Sequence, residues 1–380
     1  MVIQSMRRST RDNVPFAAVA RAAGGQFTIE PVQLDPPRSD EVLVRIAGVG
    51  ICHTDLVFRD QFVPFALPAV LGHEGAGIIE QVGTCVTGFA PGDKVILSFS
   101  SCGGCDRCHK GLPSYCRRFS PLNYAGRRLS DGSTALRSGS ELLSSHFFGQ
   151  SSFASHAIAM SQTLVNVGET RTPLELLGPL ACGIQTGAGS VMRSLACPPG
   201  SSIAILGAGT VGLSAVMAAA IQRCGLIAVA EPFASRRALA LELGASHVID
   251  PSAENVIRAL HIIAPSGFDF VLDSTGDSGV IEAGLAALGN RGTLGLVGVP
   301  KHRDDTFAAN ATRLMASGVR IIGITEGDSD PRTFIPELIA RHDAGQFPFT
   351  KLITTFRLED INHALEQQAA GRIIKPVLIP

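Results

Sequence analysis

Apolar positions in the second half of the chain come in short unbroken runs. "SSIAIL", "LIAVA", "FDFVLD", "GTLGLVGVP" and "VRIIGIT" are strand-like, and helix-like stretches such as "VGLSAVMAAAI" and "ALALELGA" separate them. Strands that are apolar on both faces need cover on both sides, and intervening helices imply a parallel order. The pattern predicts a doubly wound α/β sheet. Its first unit, "SSIAILGAGTVGLSAVMAAAIQRCG", reads as a strand through Leu206, a glycine turn and a helix from about Val211. Gly207 makes the tight turn, Gly209 lets a pyrophosphate approach the backbone, and Gly212 permits close contact between helix and strand. The helix N-terminus offers unpaired N–H groups to phosphate. The second strand, in "LIAVAEPFASRR", ends on Glu231, whose carboxylate can hold both ribose hydroxyls of NAD and would repel the extra phosphate of NADP. NAD is the expected dinucleotide. Arg236 and Arg237 stand against it as a possible phosphate site. Arg236 is otherwise read as packing on the adenosine side, or both as solvated helix charges.

Length and composition set the outer bounds. A chain of 380 residues with 45% hydrophobic residues and 41 glycines has room for two domains with real cores. The formal net charge is -1, and basic residues are dispersed apart from pairs such as Arg117-Arg118 and Arg127-Arg128. That argues against a broad nucleic-acid surface. The N-terminus lacks an apolar core of signal-peptide length, and later apolar runs are too short to span a bilayer. The expectation is a soluble, cytoplasmic chain without membrane or nucleic-acid partners. Nine cysteines, an odd number, in a reducing compartment favour metal ligation or burial over a disulfide scaffold.

Four of those cysteines, Cys102, Cys105, Cys108 and Cys116, fall within "CGGCDRCHKGLPSYC". Thiolates at such spacing suit tetrahedral zinc, and four of them close its shell against substrate. A structural zinc stapling a polar loop is the leading reading. Unligated loop cysteines, a redox pair and an iron–sulfur cluster are the alternatives. Cys52, His73 and Cys182 lie far apart, each beside glycines or an apolar run. Two sulfurs and an imidazole would leave a fourth zinc position open for water or a substrate oxygen. Taken singly, Cys52 and Cys182 also fit as buried small hydrophobes, and His73 as a turn histidine.

"ICHTD", "GHEGAGIIEQVG", the "CGGCDRC" lobe, "LACGIQTG" and "GAGTVG" follow in the order of zinc-dependent medium-chain alcohol dehydrogenases. The chain resembles that family from about residue 28 to its C-terminus, and looks most like the aryl or benzyl alcohol branch. The resemblance implies a GroES-like, mainly β catalytic domain over residues 1–183 and 326–380, with the structural-zinc lobe at about 100–120. A Rossmann-type NAD-binding domain would cover residues 184–325. Two zinc ions per chain are implied: a catalytic one on Cys52, His73 and Cys182, with Glu74 as an adjacent or transient ligand, and a structural one on the four clustered cysteines.

By the same resemblance, Thr54 relays the alcohol proton to the cofactor ribose. His53 faces the pyrophosphate, Lys375 lies near it, and Thr186, Thr210 and Val211 join the cofactor site. Val297, Gly298 and Val299 surround the nicotinamide, while Ser98, Phe99, Phe147 and Phe148 approach the substrate pocket. Simpler readings stand beside these. Thr54 would cap a helix beginning near Asp55, Glu74 would only orient a ligand, residues 297–299 would be a buried strand end, Lys375 a surface lysine, and the phenylalanines core.

The implied reaction is reversible oxidation of a primary aryl or allylic alcohol to an aldehyde with NAD. Aliphatic, secondary or polyol alcohols and a glutathione–formaldehyde adduct are alternatives, as is a nonenzymatic NAD-binding scaffold or sensor. The implied assembly is a homodimer or homotetramer, with "VRIIGIT" as a candidate edge strand. One departure matters: Val57 stands where several relatives place a histidine that ends the proton relay. The first 27 or so residues are expected to be loosely ordered, segment 117–150 to be lobe and loop, and "CPPGSS" a hinge or turn.

Overall fold

The computed structural model of the protein describes residues 14–380. Six strands form a parallel sheet in the order His247–Ile249, Leu226–Ala230, Ser202–Leu206, Phe268–Asp273, Leu288–Leu296, Arg320–Gly323. The unbroken apolar runs have the physical cause expected of them. Ile203 and Ile205 enter one buried cluster while Ala204 and Leu206 enter another, so successive side chains of one strand are covered on opposite faces. The helix after the central strand spans Thr210–Ile221, starting one residue before Val211. The second strand stops at Ala230, which leaves Glu231 just past its carboxyl end. Arg320–Gly323 lies at the sheet edge, where "VRIIGIT" was expected.

A second, mainly antiparallel sheet centres on Glu41–Gly50, which pairs with Gly75–Val82, His156–Met160 and Lys375–Ile379. The last strand of the chain therefore returns to the sheet built by its first half. Helix Gly183–Gly189 carries the chain away from that sheet and packs on Thr210–Ile221. The approach is close enough that a Cβ on Gly187 would stand 2.1 Å from the Val211 carbonyl oxygen.

Two expectations are corrected. Phe16–Ala20 pairs with Phe27–Pro31 and with Ala69–Val70, and Ala17 to Ala20 are wholly buried, so the expectation of loose order does not hold for this strand. The small apolar residues of "FAAVA" fit beneath neighbouring strands; residues 1–13 lie outside the described part. Segment 117–150 is also more ordered than its weak periodicity suggested, with helix Phe119–Tyr124 and strands Leu136–Ser138 and Glu141–Leu143. Its anchor is ionic. Buried Arg128 grips Glu41 through two hydrogen bonds of 2.7 and 2.8 Å, and His146 Nε2 lies 3.0 Å from the same carboxylate. "CPPGSS" is a turn, with Gly200 at φ 84°. Among the described residues no helix is long and apolar enough to cross a membrane.

Candidate active site

Cys52 occupies the cap position of helix His53–Arg59, so Thr54 lies inside the first turn and does not cap it. The cap is reciprocal: the Cys52 backbone N–H donates to Asp55 Oδ2 at 2.9 Å. The other oxygen of Asp55 accepts from the Gly72 N–H at 3.1 Å and lies 2.9 Å from His73 Nδ1. One buried carboxylate thus fixes both a helix start and an imidazole. Burial lowers the His73 pKa, but Asp55 reverses this and lifts it well above the ordinary value.

His73 Nε2 is buried and has no hydrogen-bond partner. Cys52 Sγ and Cys182 Sγ stand 4.0 Å apart, and one donor atom from each of Cys52, His73, Glu74 and Cys182 lies within 4.8 Å of all the others. Tetrahedral zinc with bonds of about 2.3 Å would space two sulfurs by about 3.8 Å. A buried unpaired nitrogen facing two sulfurs is unfavourable in bare protein and is satisfied by a metal. The residues fit zinc.

Glu74 meets a partner 301 positions away. Lys375 Nζ lies 2.8 and 2.7 Å from its two carboxylate oxygens and also donates to the Ile51 carbonyl at 2.8 Å. Lys375 is 1% exposed, which corrects its reading as a surface lysine. With two protons so engaged, at most one is left for a pyrophosphate. Burial lowers the ammonium pKa, and Glu74 outweighs that and raises it. Burial in turn lifts the Glu74 carboxyl to about 7, against the opposing pull of Lys375.

Two contributors were not anticipated beside Asp55. Glu326 follows strand Arg320–Gly323; its carboxylate lies 3.7 Å from Cys182 Sγ and accepts from Thr186 Oγ1 at 3.3 Å and Gln185 Nε2 at 3.4 Å. Burial lifts its carboxyl to about 7. Tyr124 packs tilted on Phe58 and edge-on against Phe119 and Phe148, and burial, reinforced by Glu326 and Cys182, raises its phenol. Asp55 and Glu326 left a trace in the sequence. "CHTD" has a carboxylate at capping-box spacing, and "TEGD" sets a charge at the carboxyl edge of a parallel sheet, where ligands bind. Tyr124 left none.

The four pocket candidates divide. Phe148 stacks on the His73 imidazole at 4.5 Å, whereas Phe147 touches that ring edge-on at 5.6 Å from within a wholly buried cluster with Phe58 and Phe65. Ser98 is fully enclosed and donates to the Ala181 carbonyl at 2.7 Å, and Phe99 packs on Phe119. Ser98 and Phe147 are therefore fully enclosed by protein contacts. Thr54 Oγ1 lies 3.7 Å from Cys52 Sγ, and His53 is exposed.

Along the parallel sheet, Gly207 adopts φ 94°, a Cβ on Gly209 would meet nothing within 4 Å, and one on Gly212 would fall 1.9 Å from the Gly207 carbonyl oxygen. A turn, an opening and a tight contact follow one another, with Thr210 and Val211 in the first helical turn. Glu231 is buried and accepts from the N–H groups of Ala208 at 2.7 Å and Phe233 at 3.0 Å. Arg236 lies over the Phe233 ring and donates to the Ile373 carbonyl, while Arg237 pairs with Asp250 at 2.8 Å. Neither is simply a solvated charge. Residues 297–299 lie beyond the strand end, with Val299 38% exposed, so they are not an ordinary buried terminus. In the lobe, the sulfurs of Cys102, Cys105, Cys108 and Cys116 converge, with Cys105 and Cys108 3.6 Å apart. The Cys116 sulfur accepts from the N–H groups of Cys102 at 3.3 Å and Arg118 at 3.4 Å.

Residues 38–168 match the alcohol dehydrogenase GroES-like domain, and residues 210–341 match the zinc-binding dehydrogenase family. The chain is 50% identical to geraniol dehydrogenase of Castellaniella defragrans over 364 residues, 96% of this chain and 97% of that one. The alcohol dehydrogenase zinc-binding domain protein from Burkholderia ambifaria is 50% identical, with a TM-score of 0.93 over 97% of this chain and 99% of the other. Benzyl alcohol dehydrogenase from Acinetobacter calcoaceticus is 40% identical, with a TM-score of 0.92 over 96% and 99%. With both halves matched and the likeness running nearly end to end, the chain belongs to the zinc-dependent medium-chain alcohol dehydrogenase family, a GroES-like domain joined to a Rossmann-type one.

Proposed function

We propose that the enzyme reversibly oxidises primary aryl or allylic alcohols to aldehydes with NAD, using Cys52, His73 and Cys182 as ligands of a catalytic zinc. The observation that carries this reading is the unpaired His73 Nε2, which faces two thiols while Phe148 stacks on its ring. When bound, zinc supplies Lewis acidity toward an alcohol oxygen and the nicotinamide supplies a hydride acceptor. The chain's own groups do the rest. Asp55 holds Nδ1 of His73 and so turns Nε2 toward the thiols. Thr54 carries the alcohol proton, since a hydroxyl donates and accepts at once. The Gly207–Gly212 turn seats the pyrophosphate and Glu231 the ribose. Phe148 and Tyr124 give the pocket a flat apolar wall that excludes water and suits an aromatic ring or an allylic chain. The names of the geraniol and benzyl alcohol relatives support the same class.

Steady-state rates with NAD and with NADP on benzyl alcohol, geraniol, ethanol, sorbitol and hydroxymethylglutathione test the proposal. The two unsaturated alcohols with NAD should give the highest kcat/KM, on protein containing two zinc ions per chain. A preference for any of the last three sinks the substrate assignment, and a preference for NADP sinks the role of Glu231.

A further inference from the structure

Tyr115 stands one residue before Cys116, in the turn Pro113–Tyr115 of the cysteine lobe. Its hydroxyl lies 2.7 Å from Asp328 Oδ1 and 3.1 Å from the Gly323 carbonyl oxygen, and accepts from the Thr325 N–H at 3.3 Å. These three partners bracket Glu326. Residues 326–328 are left-handed throughout, with φ of 52°, 65° and 51°, although only the middle one is glycine. Backbone of this hand is unfavourable for residues with side chains, so the turn has to be held from outside. On its inner side it lies against helix Gly183–Gly189: a Cβ on Gly189 would stand 2.4 Å from the Gly327 carbonyl oxygen, and one on Gly327 would stand 2.7 Å from that of Gln185. On its outer side stands Tyr115. Between the two supports, Glu326 faces Cys182, Gln185 and Thr186.

We propose that the four-cysteine lobe is a positioning element for the active site: through Tyr115 it holds the left-handed turn 326–328 and so keeps Glu326 against Cys182 and Thr186. The lobe then shapes the catalytic cleft through a contact between residues about 210 positions apart in sequence. Tyr115 and Glu326 are positioning residues here. The inference rests on Cys182 belonging to the active site.

The test uses zinc-loaded full-length protein and the variants Tyr115→Phe, which keeps the ring and removes the hydroxyl, Glu326→Gln, and the two combined. Hydrogen exchange of the segment 323–329 should quicken about fivefold or more in Tyr115→Phe, the effect of losing one hydrogen bond of ordinary net strength. Zinc content should be unchanged. Alcohol kcat/KM should fall by about fivefold in Tyr115→Phe, yet by less than about twofold when the same change is made on Glu326→Gln, because both act along one path. Asp328→Asn should repeat the Tyr115→Phe pattern. Unchanged exchange in the segment overturns the proposal, as does an equal Tyr115 effect in both backgrounds. If no alcohol is turned over, the reading of the active site fails, while the exchange measurement still decides whether the lobe holds the turn.

Discussion

Asp55 divides its two oxygens between a helix cap and His73, and the consequence runs one turn further along the same helix. Thr54 is placed beside Cys52, but the next turn offers Val57, 9% exposed and packed in the core. On the proposed relay, a proton leaving Thr54 meets no titratable side chain at that position. Val57→His introduces a base with an ordinary pKa of about 6.5 and should modestly raise the alcohol-oxidation rate at low pH. Superimposable pH–rate profiles for the two proteins would end that account. At this scale, the thiols and His73 were legible because each sits in a short motif. Glu326 and the Glu74–Lys375 pair were not, because their partners are 144 and 301 residues distant.

Among the elements, the central strand, its glycine turn and helix Thr210–Ile221 show how much a local pattern can specify. Gly209 and Gly212 look equivalent in a motif but differ in surroundings, open space against a Cβ distance of 1.9 Å to Gly207. Gly209→Ala should leave the thermal midpoint unchanged and weaken NAD binding about tenfold or more, its methyl occupying the phosphate approach. Gly212→Ala should do both kinds of damage, destabilising by about 1–3 kcal/mol through overpacking and weakening NAD as well. Fluorescence titration and thermal melts separate the two; wild-type NAD affinity in Gly209→Ala would refute the assignment of that opening. Element boundaries shifted by only one residue from expectation, at Thr210 and at Ala230. Strand Phe16–Ala20 and segment 117–150 were harder to read, since short strand pairings and one buried arginine hold them without periodicity.

For the whole molecule, the Arg128–Glu41–His146 cluster ties segment 117–150 to the central antiparallel strand. Burial raises the Glu41 carboxyl, but Arg128 and His146 overcome it and hold the pKa well below the ordinary 4.5. A depressed carboxylate contributes stability that is fully present above its unfolded value and is lost as pH falls through its folded value. Glu41→Gln should therefore destabilise the protein by about 3 kcal/mol near neutrality, because it leaves Arg128 buried without its charge partner. The gap to wild type should narrow as pH drops below about 4.5. Melting curves across that range check it, and a gap that widens in acid would contradict the sign.

Sequence alone determined the parallel strands, the dinucleotide turn and the cysteine lobe, because each depends on neighbours within a few residues and on the two-faced burial of short apolar runs. Tertiary structure decided the rest. It enclosed Ser98 and Phe147 in protein contacts, joined Lys375 to Glu74, and held Glu326 beside Cys182. Those contacts arise where the two sheets and the helix between them close on one another, and the packing that brings such distant residues together belongs to the whole fold and to no local segment.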